Sequence, residues 1–484
     1  MNTKINKNKE LKLWEALIPV IALVVMLAFN VYVYGDSSLG GSNQFVLLLG
    51  GAVAAIMGYF NNVSFHKMLE EVANNIQSTA SAILILLMVG ALAGTWMVSG
   101  IIPSMIYYGL QLLSPAIFLP ATLIICSVIS IATGSSWTTS ATVGIALIGI
   151  GGALGFDLGM VAGAVISGAY FGDKLSPMSD TTNLAPAMAG TDLFTHIKYM
   201  TLTTIPTYII TLILFIVLGL TVEVQGEANT NDLLNAITTS FSVSPWLFLV
   251  PVIVIGLIVK KTEPLIALLV GILLAGIFAV IFQPQIINQI AGVETMDFKS
   301  AYKGVMDAIT SKVVVPTENK TLADLFTSGG MAKMLPTIWL ILCAMVFGGI
   351  MDAIGALAKI SESLLKLAHT TFGLFASTVG SCLALNITAS DQYLAIVVPG
   401  KMFAKAYKDK GLAPENLSRT LEDTGTVTSV LVPWNTCGAY QAGTLGVSTL
   451  DYLPYAFFNI ISPFMTLLFA AFNIKIKQLV SNIK

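Results

Sequence analysis

Apolar runs about as long as a bilayer is thick recur along this chain, and they restrict its fold more than any other feature. They cover residues 13–34, 45–60, 80–97, 117–131, 200–220, 246–259, 265–282, 335–351 and 452–472. A helix rises about 1.5 Å per residue, so roughly 20 apolar residues cross the hydrocarbon core. Lipid offers the backbone no hydrogen bonds, which leaves helices or closed barrels as spanning structures. Runs of this length mean helices. With short and interrupted segments included, the expectation is an all-α polytopic membrane protein of about 11 to 13 membrane elements. Only 10% of residues are charged, against about 25% in a soluble domain, so a water-facing surface could not be covered.

Lysine near span ends sets orientation, because basic residues stay on the cytoplasmic side. Lys4, Lys7, Lys9 and Lys12 at one end, and Lys475, Lys477 and Lys484 at the other, place both termini in the cytoplasm. Residues 35–42 carry no Lys or Arg and read as external, and His66 and Lys67 as internal. His196 and Lys198 start the 200–220 run inside, and the acidic stretch 223–232 marks its outer end. The 13–34 run is too long for a signal h-region and is expected to be retained.

The same accounting divides the chain into N-terminal spans (1–76), a first block (77–225), connecting spans with a polar loop (226–332), a second block (333–473) and a cytoplasmic tail (474–484). The first block starts inside and the second outside. Each has a long span, a polar break, an acidic break, an Asn-containing break and a closing span. Opposite starting sides with a shared order of features indicate two inverted-topology repeats with interrupted helices or re-entrant hairpins, whose breaks meet near the midplane in such transporters.

The breaks carry the chemistry. In Ala132-Thr-Gly-Ser-Ser-Trp-Thr-Thr-Ser140, glycine and hydroxyls permit unwinding, and Ser135 and Ser136 can offer oxygens to a hard cation. The alternative is ordinary hydroxyl bonding between packed helices. In Gly172-Asp-Lys-Leu-Ser-Pro-Met-Ser-Asp-Thr-Thr-Asn183, Asp173 and Asp180 are about two helical turns apart, with Pro177 between them. A continuous or a broken helix can direct both carboxylates into one cavity with Ser179, Thr181 and Asn183. Nearby carboxylates raise one another's proton affinity, and a cation entering between them displaces protons. Lys174 can instead neutralise Asp173, or the segment can be a solvated loop.

The second block offers Ser390 and Asp391, the latter also readable as a helix cap. Glu422 reads as a surface charge near Arg419, Asp423 as the internal carboxylate, and Asn435 and Thr436 as neutral oxygen ligands. His196 fits a boundary residue or a pH sensor, Asp352 an interfacial charge, and Asp157 a cap. The cysteines Cys126, Cys343, Cys382 and Cys437 have no metal or disulfide spacing and are expected to be buried. No nucleotide loop or HExxH motif is present. The Gly-x-Gly-Asp of intramembrane aspartyl proteases is unmatched by Tyr170-Phe-Gly-Asp173, so no enzyme activity is expected.

Ala132 to Gly144 and Gly168-Ala-Tyr-Phe-Gly-Asp-Lys-Leu-Ser-Pro-Met-Ser-Asp-Thr-Thr-Asn-Leu-Ala-Pro186 together resemble the NhaC family of sodium/proton antiporters, and the similarity runs over nearly the whole chain. The resemblance implies a secondary antiporter of a bacterial cytoplasmic membrane with Na⁺ and H⁺ as transported ions. Its surroundings are membrane lipid, and no cofactor or nucleic-acid partner is implied. Ser135, Ser136, Asp173, Ser179, Asp180, Thr181 and Asn183 match the family's polar core. The family also includes exchangers of small organic anions such as malate and lactate, and a homodimer is compatible with it. Proton and Na⁺ exchange is expected at Asp173, Asp180, Asp391 and Asp423.

Overall fold

The computed structural model describes residues 11–34, 41–222, 230–317 and 326–479. Lys4, Lys7, Lys9, Lys484 and most of the 35–42 and 223–232 stretches, used above for orientation, lie outside the described residues. Among those described, eight helices are long and apolar enough to cross a membrane. They are Leu13–Tyr34, Ser42–Phe60, Ala80–Val98, Pro115–Thr133, Leu193–Thr221, Pro264–Phe282, Met331–Ala353 and Thr371–Thr388. Two pairs bent by 83° and 54°, Asn231–Ser240 with Pro245–Val259 and Thr449–Tyr455 with Phe457–Ala471, bring the number to ten when each is counted as one broken span. The higher expectation from hydropathy also counted short and interrupted elements. One two-stranded ladder, Val313–Val314 with Thr327–Ser328, is the described sheet.

The burial pattern is that of a protein dissolved in lipid. On Pro264–Phe282, Ile266, Leu269, Leu273, Ile277 and Ile281 follow the three-to-four spacing of one helix face, and all are exposed. The opposite face, with Ala267, Gly271, Ala275 and Ala279, is buried. Large aliphatic residues outside and small ones between helices suit a solvent as apolar as leucine, where packing replaces the hydrophobic effect. Together with the eight apolar spans among the described residues, this makes the chain a multi-pass membrane protein. The charges go inward: Lys174, Arg419, Glu422 and Asp423 are wholly buried.

Small residues bring the two site-bearing helices together. Leu158–Leu175 lies along Pro115–Thr133, and a Cβ at Gly172 would stand 2.5 Å from the Ser127 carbonyl and from Ser130 Cβ. The Ser130 hydroxyl donates across the contact to the Ala169 carbonyl. Asp157 is the cap read from the sequence, accepting from the Met160 N–H. All four cysteines are buried and free.

One succession of elements occurs twice. In the first block a span (Ala80–Val98) and a left-handed glycine, Gly100, lead to Ile101–Leu112 and Pro115–Thr133. After a break come Ser136–Thr139, a π-turn, Ile145–Ala153 and Leu158–Leu175. A second break precedes the ten-residue helix Asp180–Ala189, which ends on left-handed Gly190. In the second block Leu335–Ala353, left-handed Gly355, Ala356–Leu365 and Thr371–Thr388 precede a break at 389–391. Gln392–Asp409 and Pro414–Leu421 follow, then a π-turn, and a ten-residue helix, Thr436–Leu445, ends on left-handed Gly446. The left-handed glycines and the closing ten-residue helices correspond in order, while the π-turn follows Ser136–Thr139 in one block and Pro414–Leu421 in the other.

Candidate ion-exchange site

The first polar motif is a true break. Pro115–Thr133 ends on Gly134, whose φ of 70° lies in the left-handed region that only glycine enters without strain. Ser135 then turns extended and caps the next helix, its hydroxyl accepting from the Thr138 N–H at 3.2 Å. The new helix begins at Ser136, so its first N–H groups have no partner within the helix. One of them finds Asp173: the Ser136 N–H donates to Asp173 Oδ2 at 3.0 Å, and the Ser136 hydroxyl to the same oxygen at 2.6 Å. A carboxylate at a helix N-terminus is stabilised by the unpaired N–H groups and the helix dipole.

The second motif breaks as well. Leu158–Leu175 stops before Ser176-Pro177, and Asp180–Ala189 starts after Ser179, whose hydroxyl accepts from the Thr182 N–H. Of the two geometries the sequence allows, the broken one holds. Asp180 occupies the first turn of the new helix. Asn183 donates to the Pro177 and Ser179 carbonyls, so its amide braces the break. The two breaks touch: a Cβ on Gly134 would lie 2.6 Å from Met178 Cβ.

A cavity of about 560 Å³ opens between them. Thr133 to Thr138, Asp173, Met178 to Thr181 and Asn183 line it, Gln392 and Tyr393 come from the second block, and Lys261 and Glu263 line it as well. Ser135, Ser136, Asp173, Ser179, Asp180, Thr181 and Asn183 are therefore brought together. Asp391, Asp423, Ser390, Asn435 and Thr436 do not line it. Among the described residues no three His, Cys, Asp or Glu side chains gather as a metal cage, so the four aspartates do not converge at one point.

The second block's residues have other partners here. Asp391 caps Gln392–Asp409, accepting from the Tyr393 and Leu394 N–H groups at 2.8 and 3.1 Å. It thereby fixes the end of the helix that brings Gln392 and Tyr393 to the cavity. Ser390 has a φ of 60°, and its carbonyl accepts from the Thr436 N–H. Asn435 caps Thr436–Leu445 and donates to the Asn386 carbonyl. The blocks also meet through Trp137 and Tyr440, stacked 4.0 Å apart, with the Tyr440 hydroxyl donating to the Trp137 carbonyl at 3.1 Å.

Two expectations change. Lys174 neither neutralises Asp173 nor sits in a solvated loop. Successive residues on a helix point about 100° apart, and Lys174, wholly buried, turns to an ion pair with Asp423. Asp423 also accepts from Thr203 at 2.8 Å and from Thr466, so its lone pairs are engaged away from the cavity. Glu422 is no surface charge. It is fully buried, and Oε1 accepts from the Thr181 hydroxyl at 3.0 Å. His196 is buried, with Nδ1 at 2.8 Å from the Ser418 hydroxyl. The threonines could have been found: Thr203, Thr207 and Thr211 recur every four residues along Leu193–Thr221, a buried polar stripe. Buried Arg419, stacked on the Tyr199 ring at 4.7 Å, left no such signal.

A Na⁺/H⁺ antiporter family model matches residues 168–474, more than half of the chain. The chain is 37% identical over 422 residues to the Na⁺/H⁺ antiporter NhaC of Alkalihalophilus pseudofirmus, covering 87% of this chain and 88% of that protein. It belongs to the Na⁺/H⁺ antiporter family. A Bacillus subtilis member, also a Na⁺/H⁺ antiporter NhaC, is 37% identical over 399 residues, 82% of this chain and 85% of the relative. Another Bacillus subtilis protein, a malate-2H⁺/Na⁺-lactate antiporter, is 36% identical over 448 residues, 91% and 90% of the two chains. The family match begins at residue 168, four residues before the Gly172-Asp173 pair, and so takes in the second break and the whole second block.

Proposed function

We propose that this protein is a secondary antiporter exchanging Na⁺ for H⁺ across a bacterial cytoplasmic membrane by alternating access. Family membership supports the class. The observation that carries the site is the Asp173 carboxylate, held at the N-terminus of a broken helix in the cavity that Asp180, Ser179 and Thr181 also line. Na⁺ favours carboxylate, hydroxyl and carbonyl oxygens, and the two breaks supply all three. Protons compete for the same carboxylates, so a cation entering releases them, and acid conditions oppose its entry.

In this assignment Asp173 and Asp180 exchange ions, Ser135, Ser136, Ser179 and Thr181 complete the shell, and Asn183 holds the break. Asp391 sets the helix end bearing Tyr393, and Asp423 balances Lys174. We also assign residues 77–225 and 333–473 to inverted repeats. The repeated succession of elements and the lysine accounting support that assignment. Lys261 in the cavity lining favours a cytoplasmic opening.

Everted membrane vesicles with an imposed pH gradient provide the test, with Na⁺, K⁺ and malate titrated separately. Na⁺ alone is expected to dissipate the gradient. A gradient untouched by Na⁺ refutes the reading. Exchange of malate for lactate has one observation behind it: the relative of that name covers as much of this chain as any reported above. Dissipation that requires malate would move the assignment there.

A further inference from the structure

We infer that a second cavity, beside Thr444, is the outer mouth of the ion path, and that Gln441 and Thr444 line the passage from it to the exchange site when the protein opens outward. The inference rests on the exchange reading above and gives that site its second access route. The cavity holds about 130 Å³, and Val89, Met97, Ile148, Lys333 and Thr444 are among its lining. Ser81 and Ile85, on the same helix as Val89 and Met97, line the exchange cavity. The two cavities therefore lie towards opposite ends of Ala80–Val98. Ile85 and Val89 are one helical turn apart, about 6 Å of rise, so a thin layer separates the two.

Two segments run side by side through that layer. Trp137, in the lining of the exchange cavity, is stacked on Tyr440. Further along both segments, a Cβ at Gly144 would lie 3.2 Å from Cδ2 of Leu445, which lines the outer cavity. The π-turn Ser140–Gly144 and the helix Thr436–Leu445 thus lead in parallel from one cavity to the other. Gln441 and Thr444, at i and i+3, share a face of that helix. Thr444 lines the outer cavity, so Gln441 lies on the same side, about one turn nearer the Trp137–Tyr440 stack.

Gln441 is wholly buried, yet neither its amide nitrogen nor its amide oxygen has a partner among the described residues. The buried hydroxyls of Thr444 and, on the facing π-turn, Ser140 have none either. Polar groups left dry and unpaired are costly, and packing in one state alone does not call for them. A wetted passage supplies their partners. As the layer parts, water and then Na⁺ meet the Gln441 amide oxygen and the Thr444 hydroxyl, neutral oxygens of the kind a hard cation accepts. On the outer side the contacts are close: a Cβ on Gly90 would lie 2.6 Å from the Gly330 carbonyl oxygen. The Lys333 ammonium reaches to 3.3 Å from a Cβ on Gly446, at the C-terminal end of Thr436–Leu445, where the helix dipole favours a cation. Lys333 so ties the start of the second block to the helix that carries Gln441 and Thr444.

The test is thiol labelling of the full-length protein from each side of the membrane, with an impermeant sulfonate-bearing methanethiosulfonate. Wild type, whose cysteines are all buried, sets the background. Gln441→Cys and Thr444→Cys should each react at least about tenfold faster than background in right-side-out vesicles, and at background in everted ones. Each should then lose more than about half of the Na⁺-driven proton flux it had before the reagent. Background labelling from outside, labelling from the cytoplasmic side, or flux untouched by complete modification overturns the assignment. If Gln441→Cys does not fold, Thr444→Cys decides the matter alone. Wild type without Na⁺-driven proton flux overturns the exchange reading itself, whichever side labels.

Discussion

Breaking the Lys174–Asp423 pair should destabilise the protein far more than removing it. Both side chains are wholly buried, so each is anchored against desolvation mainly by the other. Lys174→Met leaves Asp423 with the Thr203 and Thr466 hydroxyls, which soften the loss, so the cost should sit near the lower end of the about 3–5 kcal/mol range for a broken buried pair. Asp423→Asn leaves the ammonium with the Ser462 hydroxyl and the Phe458 ring, and the cost should sit near the upper end, about 5 kcal/mol. The double variant has no uncompensated charge, and the asparagine carbonyl still accepts from both threonines. It should return to within about 2 kcal/mol of wild type. Unfolding in mixed detergent micelles, followed by tryptophan fluorescence, gives all four corners of the cycle. Single variants that each cost under about 1 kcal/mol and add in the double would mean that water reaches the pair, and the dry core described for Asp423 and Glu422 would be wrong.

Ser136→Ala deletes a charge-assisted hydrogen bond on Asp173 while keeping the N–H contact. The Na⁺ concentration for half-maximal exchange should rise about tenfold, and an unchanged value would remove Asp173 from the ion path. Gly134→Ala forces a left-handed φ on a residue whose Cβ would strike Met178. It should cost about 1–3 kcal/mol and abolish exchange, measured as thermal unfolding and vesicle flux on one preparation. Tyr440→Leu removes the stack on Trp137 and its hydroxyl bond. Turnover should fall while the half-saturating Na⁺ concentration moves less than about twofold, because the contact joins the blocks and not the ion. Tyr440→Phe keeps the stack and should lie between Leu and wild type.

The sequence made the membrane class and both first-block breaks legible, because composition at bilayer depth is so restricted that Gly134, Ser135, Pro177 and Asp180 stand out against it. The second block was harder. Asp391 and Asn435 look like ligands in sequence, yet each closes a helix N-terminus in space, and a cap and a ligand are written with the same residue types. Glu422 and Asp423 are adjacent, so spacing cannot say which faces the cavity side. The π-turn that begins at Glu422 decides it, sending Glu422 to Thr181 and Asp423 to Lys174. Partners such as Thr466 and Ser462 lie some 40 residues along the chain or more from the charges they satisfy, a separation that local pattern cannot bridge.

Proton flux in proteoliposomes tests the central claim most directly. Wild type, Asp173→Asn and Asp180→Asn are reconstituted at equal density, a pH gradient is imposed, and Na⁺ is pulsed on one side. Wild type should move protons against the pulse, less at acid pH where protons hold the carboxylates, and each asparagine variant should lose at least about tenfold of that flux. Asp173→Asn and Asp180→Asn proteins that exchange at the wild-type rate would contradict the account, because the cavity between the two breaks would then not be where Na⁺ and protons meet.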